Sequence, residues 1–259
     1  MELNDDNDKI ITYRKLRKLI GWLGVLLPIV LVFGNYLINH FNIFNSSFFI
    51  DKICSNIYKP GNSFKTSISD YYYSTVGDLL TGTLCAVAMF MFCYRGHKKR
   101  EGEFGLSDNL LANIIGILAL GVAVFPTHSE TCIQDNIRTY LISNNIGYIH
   151  LALAALFFIS LAAMSIINFR RTDEIKLFGK RENHQIYLFS GITILICLVL
   201  IFIYMNWIEE LYEWMDKLHP IFWLEAAALI SFGFAWLVKG KVDFYYIPRK
   251  IMNLVKSTK

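Results

Sequence analysis

The 259-residue sequence predicts an all-α integral membrane protein, a bundle of six membrane-spanning helices with both termini in the cytoplasm. Two observations carry this prediction: six long apolar runs divide the chain, and Lys and Arg concentrate in alternate gaps between the runs. In addition, 54% of the residues are hydrophobic and the mean hydropathy is +0.40, which is more apolar than a typical soluble domain.

The six apolar runs are each about as long as a membrane-spanning helix. They cover residues 19–39, 75–94, 109–126, 146–168, 186–205 and 221–238. A helix of roughly 20 residues crosses a hydrocarbon core of about 30 Å, and helices satisfy their own backbone hydrogen bonds in lipid. The predicted organisation is an N-terminal segment (1–18), a six-helix domain (19–240) and a basic tail (241–259).

The distribution of positive charge predicts the orientation. Of the 25 Lys and Arg residues, 20 fall in the two terminal segments, the 2–3 loop and the 4–5 loop. Short cytoplasmic loops are rich in Lys and Arg, so this side is expected to face the cytoplasm, in a multi-pass protein of a bacterial inner membrane. Anionic lipid headgroups beside these loops account for the basic pI near 8.7 without a nucleic-acid partner. Assembly into a homo-oligomer stays open.

The five cysteines fall into two groups. Cys85, Cys93 and Cys197 lie within the predicted spans, where cysteine acts as a small apolar residue. Cys54 and Cys132 lie in the predicted extracytoplasmic loops. In an oxidising compartment these two could form one disulfide between the first and third loops, and the alternative is two unpaired thiols.

Ionisable residues within or next to the spans are the candidate functional residues, because burying them in lipid is costly. The predicted topology places Asp78, His128, His150 and Glu225 at one depth near the outer face. Ser74 lies one helical turn before Asp78 and completes the candidate ligand-binding set. Helical spacing with small residues predicts that Asp78, His150 and Glu225 point into the bundle, toward a pocket open to the outside.

Three functions fit such a pocket. The leading interpretation is binding of a small ligand, ion or lipid by a sensor, a channel-like effector or an accessory subunit. The first alternative is a membrane-embedded hydrolase acting on lipid, with His150 or Asp78 handling protons and Glu225 as the partner acid. The second is a structural scaffold in which these residues only hold helices together. Metal-ligand, nucleophile-elbow and phosphate-loop motifs are absent from the sequence, so neither a metal nor another cofactor is predicted, and enzymatic activity stays open.

A second polar set lies at the predicted cytoplasmic ends of the spans. The leading explanation is anchoring at the interface and helix capping. The alternative is a site for an anionic lipid headgroup or a nucleotide, built from Arg95, Lys180 and Arg181. Asp108 opens the third span and is predicted to be the N-cap of that helix.

Several segments resemble an uncharacterised family of six-span bacterial membrane proteins, a domain of unknown function. The resemblance covers about residues 68–240 and rests on SISDYYYS, LCAVAMFMFCYRG, DNLLANIIGILALGVAVFPT, IHLALAALFF and FWLEAAALISFGFAWLVKG. It implies a six-helix bundle and no known activity.

A fainter similarity is to the membrane hydrolases that include alkaline ceramidases and adiponectin-receptor-like proteins. Those proteins combine Ser, Asp and three His around zinc in a seven-span bundle. Ser74 and Asp78 match the first part of that pattern, and His128 and His150 match two of the histidines. Glu225 stands where the last span of the family carries paired His, and a seventh span is missing, so the resemblance does not imply a zinc site.

Overall fold

The computed structural model describes residues 2–41, 64–74, 76–96, 99, 101–127, 145–171, 180–208, 215 and 217–240. In these ranges the chain is helical and contains no β-strand. A short 3-10 helix, Ser69–Tyr73, precedes α2. The longer helices are α1 (Glu2–Phe41), α2 (Gly77–Cys93), α3 (Asp108–Val124), α4 (Ile146–Ala163), α5 (Lys180–Ile203) and α6 (Pro220–Lys239).

Each predicted apolar run falls on one of these helices. Within the described residues, four regions are long and apolar enough to cross a membrane. These four regions are Arg14–Ile38, Ile146–Arg171, His184–Trp207 and Pro220–Lys239. Helices α2 and α3 are also apolar but have 17 residues each. The predicted N-terminal segment is continuous with the first span, because α1 already begins at Glu2.

The ends of α3 follow from its flanking residues. The prediction of Asp108 as the N-cap was wrong by one position: Ser107 is the cap, and its Oγ accepts the backbone N–H of Leu110 at 3.3 Å. Serine and aspartate are both good caps, so composition alone does not choose between them. At the other end Phe125 is extended because it precedes Pro126, and a residue before proline is driven out of the helical conformation.

The helices pack in a closed ring. Each helix contacts the next one in the chain, from α1 to α6, and α6 also contacts α1. More than half of α6 is buried, compared with about a third of the other three long apolar regions. Gly21 and Gly233 permit the close approach of α1 and α6, since a Cβ on Gly233 would lie 2.6 Å from the carbonyl oxygen of Gly21. Small residues at such crossings favour van der Waals packing, which drives helix association in lipid.

Two clusters of buried side chains fill the bundle. One contains aromatic residues near the C-terminal end of α6, among them Tyr94, Phe169 and Trp236. The other contains Leu27 and Leu31 of α1 together with Ile68 and Tyr71, which precede α2. The segment before α2 is therefore part of the packed interior.

Helix α4 continues through a π-helical turn, Met164–Asn168, into a final α-helical turn, Phe169–Arg171. Such a turn inserts an extra residue and rotates the side chains that follow. Here it accompanies a buried contact: Asn168 Nδ2 donates to Asp108 Oδ1 at 2.8 Å and to the carbonyl of Leu106 at 3.1 Å. Helix α5 ends in a second π-helical turn, Tyr204–Ile208.

Candidate functional site

Residues 64–74, named here the plug segment, lie across the end of the bundle at which α2, α4 and α6 begin. A reciprocal pair fixes the segment locally. The backbone N–H of Ser67 donates to Asp70 Oδ2 at 2.9 Å, and the backbone N–H of Asp70 donates to Ser67 Oγ at 3.1 Å. The Thr66 hydroxyl also donates to the Asp70 carboxylate. This arrangement resembles a capping box and satisfies backbone groups where the 3-10 helix starts.

Hydrogen bonds and aromatic contacts hold the plug segment on helix α6. The backbone N–H of Ile68 donates to Glu225 Oε2 at 2.6 Å, and the backbone N–H of Phe222 donates to the carbonyl of Thr66 at 3.0 Å. The ring of Phe64 packs edge-on against Phe222, with centroids 4.7 Å apart. An intramolecular hydrogen bond contributes about 0.5–1.5 kcal/mol, so Glu225 helps to anchor the plug segment.

Two tyrosines seat the plug segment in the bundle. The Tyr71 side chain is fully buried, and the Tyr73 hydroxyl donates to the carbonyl of Thr127 at 2.7 Å. Burial raises the pKa of each phenol to about 12, because a tyrosinate loses its hydration away from water. Both phenols are therefore neutral and able to donate hydrogen bonds at physiological pH.

His150 joins the plug segment to α3 and α4. Its Nδ1 lies 2.6 Å from the carbonyl oxygen of Phe125, and its Nε2 lies 2.9 Å from Ser69 Oγ. The carbonyl can only accept, so Nδ1 carries the proton. Since the proline at 126 ends α3, the Phe125 carbonyl is available to the imidazole.

A cavity of about 50 Å³ lies beneath the plug segment. Its wall is mostly apolar, with a few polar groups. It is lined by Leu27, Ile68, Ser69, Tyr72, Leu80, Thr81, Leu84, Val122, His150, Ala154, Phe157, Phe158, Glu225 and Leu229. At roughly 10–15 Å³ for each water, this volume holds about three to five waters or a molecule of a few atoms.

The structure brings two of the predicted site residues together and separates two others. His150 and Glu225 both line the cavity. Ser74 is buried but does not line it; its hydroxyl donates to the carbonyl of Tyr71 at 2.6 Å. The prediction that Asp78 points into the bundle was wrong, since Asp78 lies on the exposed side of α2. The buried face of that helix instead contains Gly77, Leu80, Leu84, Val87, Ala88 and Met91.

The remaining outer candidates fall on residues that the structure does not describe. His128, Cys54 and Cys132 lie outside the described ranges, so the ligand role of His128 and the disulfide stay predictions. The sequence reasoning missed Ser69. The signal that could have found the turn containing it is the spacing Ser67-x-x-Asp70 before an aromatic run, which is typical of a helix start.

The opposite end of the bundle holds a second polar cluster, around Asp108. This carboxylate is 1% exposed and is bonded by Asn168. Nearby on α6, buried Lys239 donates from Nζ to the carbonyl of Phe169 at 3.0 Å and lies 5.3 Å from the centre of that ring. These contacts tie the end of α4 to α3 and α6, which is a structural role.

The predicted lipid-headgroup residues are only partly described. Arg95 is exposed just beyond α2, while Lys180 and Arg181 begin α5 with side chains outside the described set. Headgroup binding by these three residues stays a prediction.

Among the described residues, no group of three or more His, Cys, Asp or Glu side chains is placed to hold a metal ion. The cavity instead offers one carboxyl, one imidazole and hydroxyl groups above an apolar floor. Comparisons of the chain with models of protein families, with curated proteins and with solved structures found no match.

Proposed function

We propose that this chain is a six-span membrane protein that binds a small ligand or ion in the cavity beneath the plug segment. One observation carries the proposal: His150 and Glu225, from α4 and α6, line the same cavity. Ionisable groups at membrane depth are costly and commonly mark functional sites. The excess of Lys and Arg in the other loops favours an orientation in which this end of the bundle faces outward.

The cavity favours a small molecule with both hydrogen-bond donors and an apolar part. A volume of about 50 Å³ holds only a few non-hydrogen atoms. The Glu225 carboxyl can accept a donor from the ligand, while Leu84, Phe157 and Leu229 offer an apolar floor. Methylammonium has this size and chemistry, and ammonium offers the donors without the apolar part. A lipid chain or headgroup is too large for this volume.

Ligand binding at this place is coupled to the position of the plug segment. Ile68 and Ser69 line the cavity, and the same two residues make the hydrogen bonds to Glu225 and His150. A ligand that competes for either hydrogen bond binds more tightly when the plug segment is displaced than when it is seated. Such a ligand therefore shifts the equilibrium toward the displaced state. This coupling supports a sensor-like role.

Filling the cavity tests the proposal without removing any bond to the plug segment. Ala154→Leu adds a side chain that projects into the cavity, whereas Ala155→Leu makes the same change one residue along α4, outside the lining. The measurement is thermal unfolding of the purified protein in lipid nanodiscs. It is repeated with ammonium, methylammonium, sodium, potassium, magnesium and calcium ions in turn. We expect at least one ion to stabilise the wild type, by about 2.7 kcal/mol at a concentration 100 times its Kd.

The two leucine variants decide the outcome. Stabilisation by that ion should be lost in Ala154→Leu and retained in Ala155→Leu. If none of the ions stabilises the wild type, or if both variants respond equally, the cavity is not the binding site. That outcome favours the scaffold interpretation, in which Glu225 and His150 hold the plug segment.

A further inference from the structure

Ser69 and His150 have the geometry of a nucleophile and its general base. Ser69 Oγ lies 2.9 Å from His150 Nε2, within hydrogen-bond reach. On its other side the imidazole is held by the Phe125 carbonyl, 2.6 Å from Nδ1. A hydroxyl, an imidazole and a third group that orients the imidazole are the parts of an activated serine.

The direction of both hydrogen bonds follows from the chemistry of the partners. The Phe125 carbonyl accepts only, so it takes the Nδ1 proton and leaves Nε2 of the neutral ring as an acceptor. The Ser69 hydroxyl then donates to Nε2, which is the arrangement needed for proton removal. When the ring gains a proton, the same carbonyl stabilises the imidazolium, as the third member of a catalytic triad does. Phe125 is thus a positioning residue.

We infer that Ser69 is a nucleophile, with His150 as its general base, for the hydrolysis of small acyl esters in this cavity. The inference rests on the cavity of the proposed function and adds a reaction to it. It differs from the hydrolase predicted from the sequence, because the nucleophile comes from the plug segment and Asp78 takes no part.

The reaction balances with water as the second substrate. Ser69 Oγ bonds to the ester carbonyl carbon and its proton passes to His150 Nε2. The ester C–O bond breaks, and the leaving alkoxide takes that proton and departs as the alcohol. Water then attacks the acyl-serine, gives a proton to Nε2 and releases the carboxylic acid. Return of the proton to Ser69 Oγ restores the starting state.

The cavity limits the acyl group. Both reacting side chains line it, and its floor consists of Leu84, Phe157 and other apolar side chains. A volume of about 50 Å³ accommodates an acyl group of roughly two to four carbons. The substrate class is therefore a short-chain ester.

A compact alkyl fluorophosphonate tests the nucleophile directly. Ser69 Oγ would bond to phosphorus as the P–F bond breaks, with fluoride leaving and the proton passing to His150. Peptide mass spectrometry of the labelled wild-type protein in nanodiscs should find the adduct on Ser69. We expect no adduct at this position in Ser69→Ala. In His150→Gln we expect labelling of Ser69 to be slower by about 100-fold or more. Hydrolysis of p-nitrophenyl acetate should fall in the same two variants.

Ser160→Ala is the matched control, since Ser160 lies on α4 with His150 but does not line the cavity. It should label at the wild-type rate. Absence of an adduct on wild-type Ser69, or equal labelling in His150→Gln, overturns the inference. Mapping on the wild type does not depend on the folding of any variant. If an ion stabilises the protein but no adduct forms, the binding proposal stands and the esterase inference fails. If an adduct forms but no ion stabilises the protein, the binding proposal fails and the esterase inference stands.

Discussion

Gly96 shows how one missing side chain makes room for a buried carboxylate. Its φ of +56° lies in the left-handed region, which glycine adopts readily. A Cβ at this position would lie 2.3 Å from the Cβ of Asp108 and 2.5 Å from its Oδ2. The turn after α2 therefore needs glycine both for its backbone angle and for the space that Asp108 occupies.

Gly96→Ala should destabilise the protein by about 2–5 kcal/mol, from about 1–2 for the left-handed backbone and about 1–3 for overpacking. Gly102→Ala is the control: its φ is +84°, but nothing lies within 4 Å of an added Cβ. We expect this control to lose about 1–2 kcal/mol. Denaturant unfolding in detergent micelles measures the free energy of unfolding of both variants. Equal losses in the two variants would show that the Asp108 side chain moves aside for the added methyl group.

Spacing along a helix predicts which residues share a face, but it leaves open which face is buried. In α2 the predicted inward face contained Ser74 and Asp78, whereas the packed face begins with Gly77 and Leu80. For His150 and Glu225 the inward prediction agrees with the cavity lining. Each residue lies on the same helix face as small and apolar residues that pack into the bundle. The position of Ser69 depends on its own contact with His150, 81 positions away, and on the contact of its neighbour Ile68 with Glu225, 157 positions away. The local sequence pattern does not show such contacts.

At the level of elements, the plug segment and the π-helical turns are the features that hydrophobic periodicity does not predict. An aromatic run such as Tyr71-Tyr72-Tyr73 is typical of side chains at the level of the lipid headgroups. Tyr71 is nevertheless fully buried. The apolar run of α4 likewise gives no sign of the extra residue that accompanies the contact of Asn168 with Asp108. The helices themselves were predictable, because length and apolar content determine them in lipid.

The plug segment should loosen in alkaline solution. Tyr71 and Tyr73 have a pKa of about 12 when seated, against 10.0 for an ordinary tyrosine. Their stabilising contribution is therefore complete below pH 10 and is lost as the pH rises from 10 to about 12. The loss amounts to at most about 3 kcal/mol for each tyrosine.

Thermal unfolding between pH 9 and pH 12 measures this effect. The double variant Tyr71→Phe, Tyr73→Phe should lose less stability over this range than the wild type, because phenylalanine does not ionise. Tyr148→Phe, on the exposed side of α4, should follow the wild type. Parallel curves for the double variant and the wild type would contradict the prediction.

At the scale of the whole molecule, the described helices place two polar regions at opposite ends of the bundle. The plug segment, His150 and Glu225 lie at one end, and Asp108, Asn168 and Lys239 belong to the other. The charge pattern predicts that the first end faces the outside of the cell. This assignment is open to a direct test.

Single cysteines in a cysteine-free background report the orientation. Lys217→Cys and Gly102→Cys lie at exposed positions on the predicted outer and cytoplasmic sides. A membrane-impermeant maleimide added to intact cells should label the first, and should label the second only after the membrane is broken. The reverse pattern would mean that the charge rule fails for this chain and that the cavity faces the cytoplasm.

The bond between Glu225 and Ile68 also sets an order of events during synthesis. The two residues are 157 positions apart, and α6 follows the other five described helices in the chain. At about 5–20 residues per second, the ribosome needs roughly 8–30 s to reach Glu225 after it has made the plug segment. During that interval the turn around Ser69 has no anchor on α6 and the cavity has no complete wall. The pocket is therefore among the last parts of the molecule to form, and a ribosome that stalls before α6 leaves a membrane-inserted chain without it.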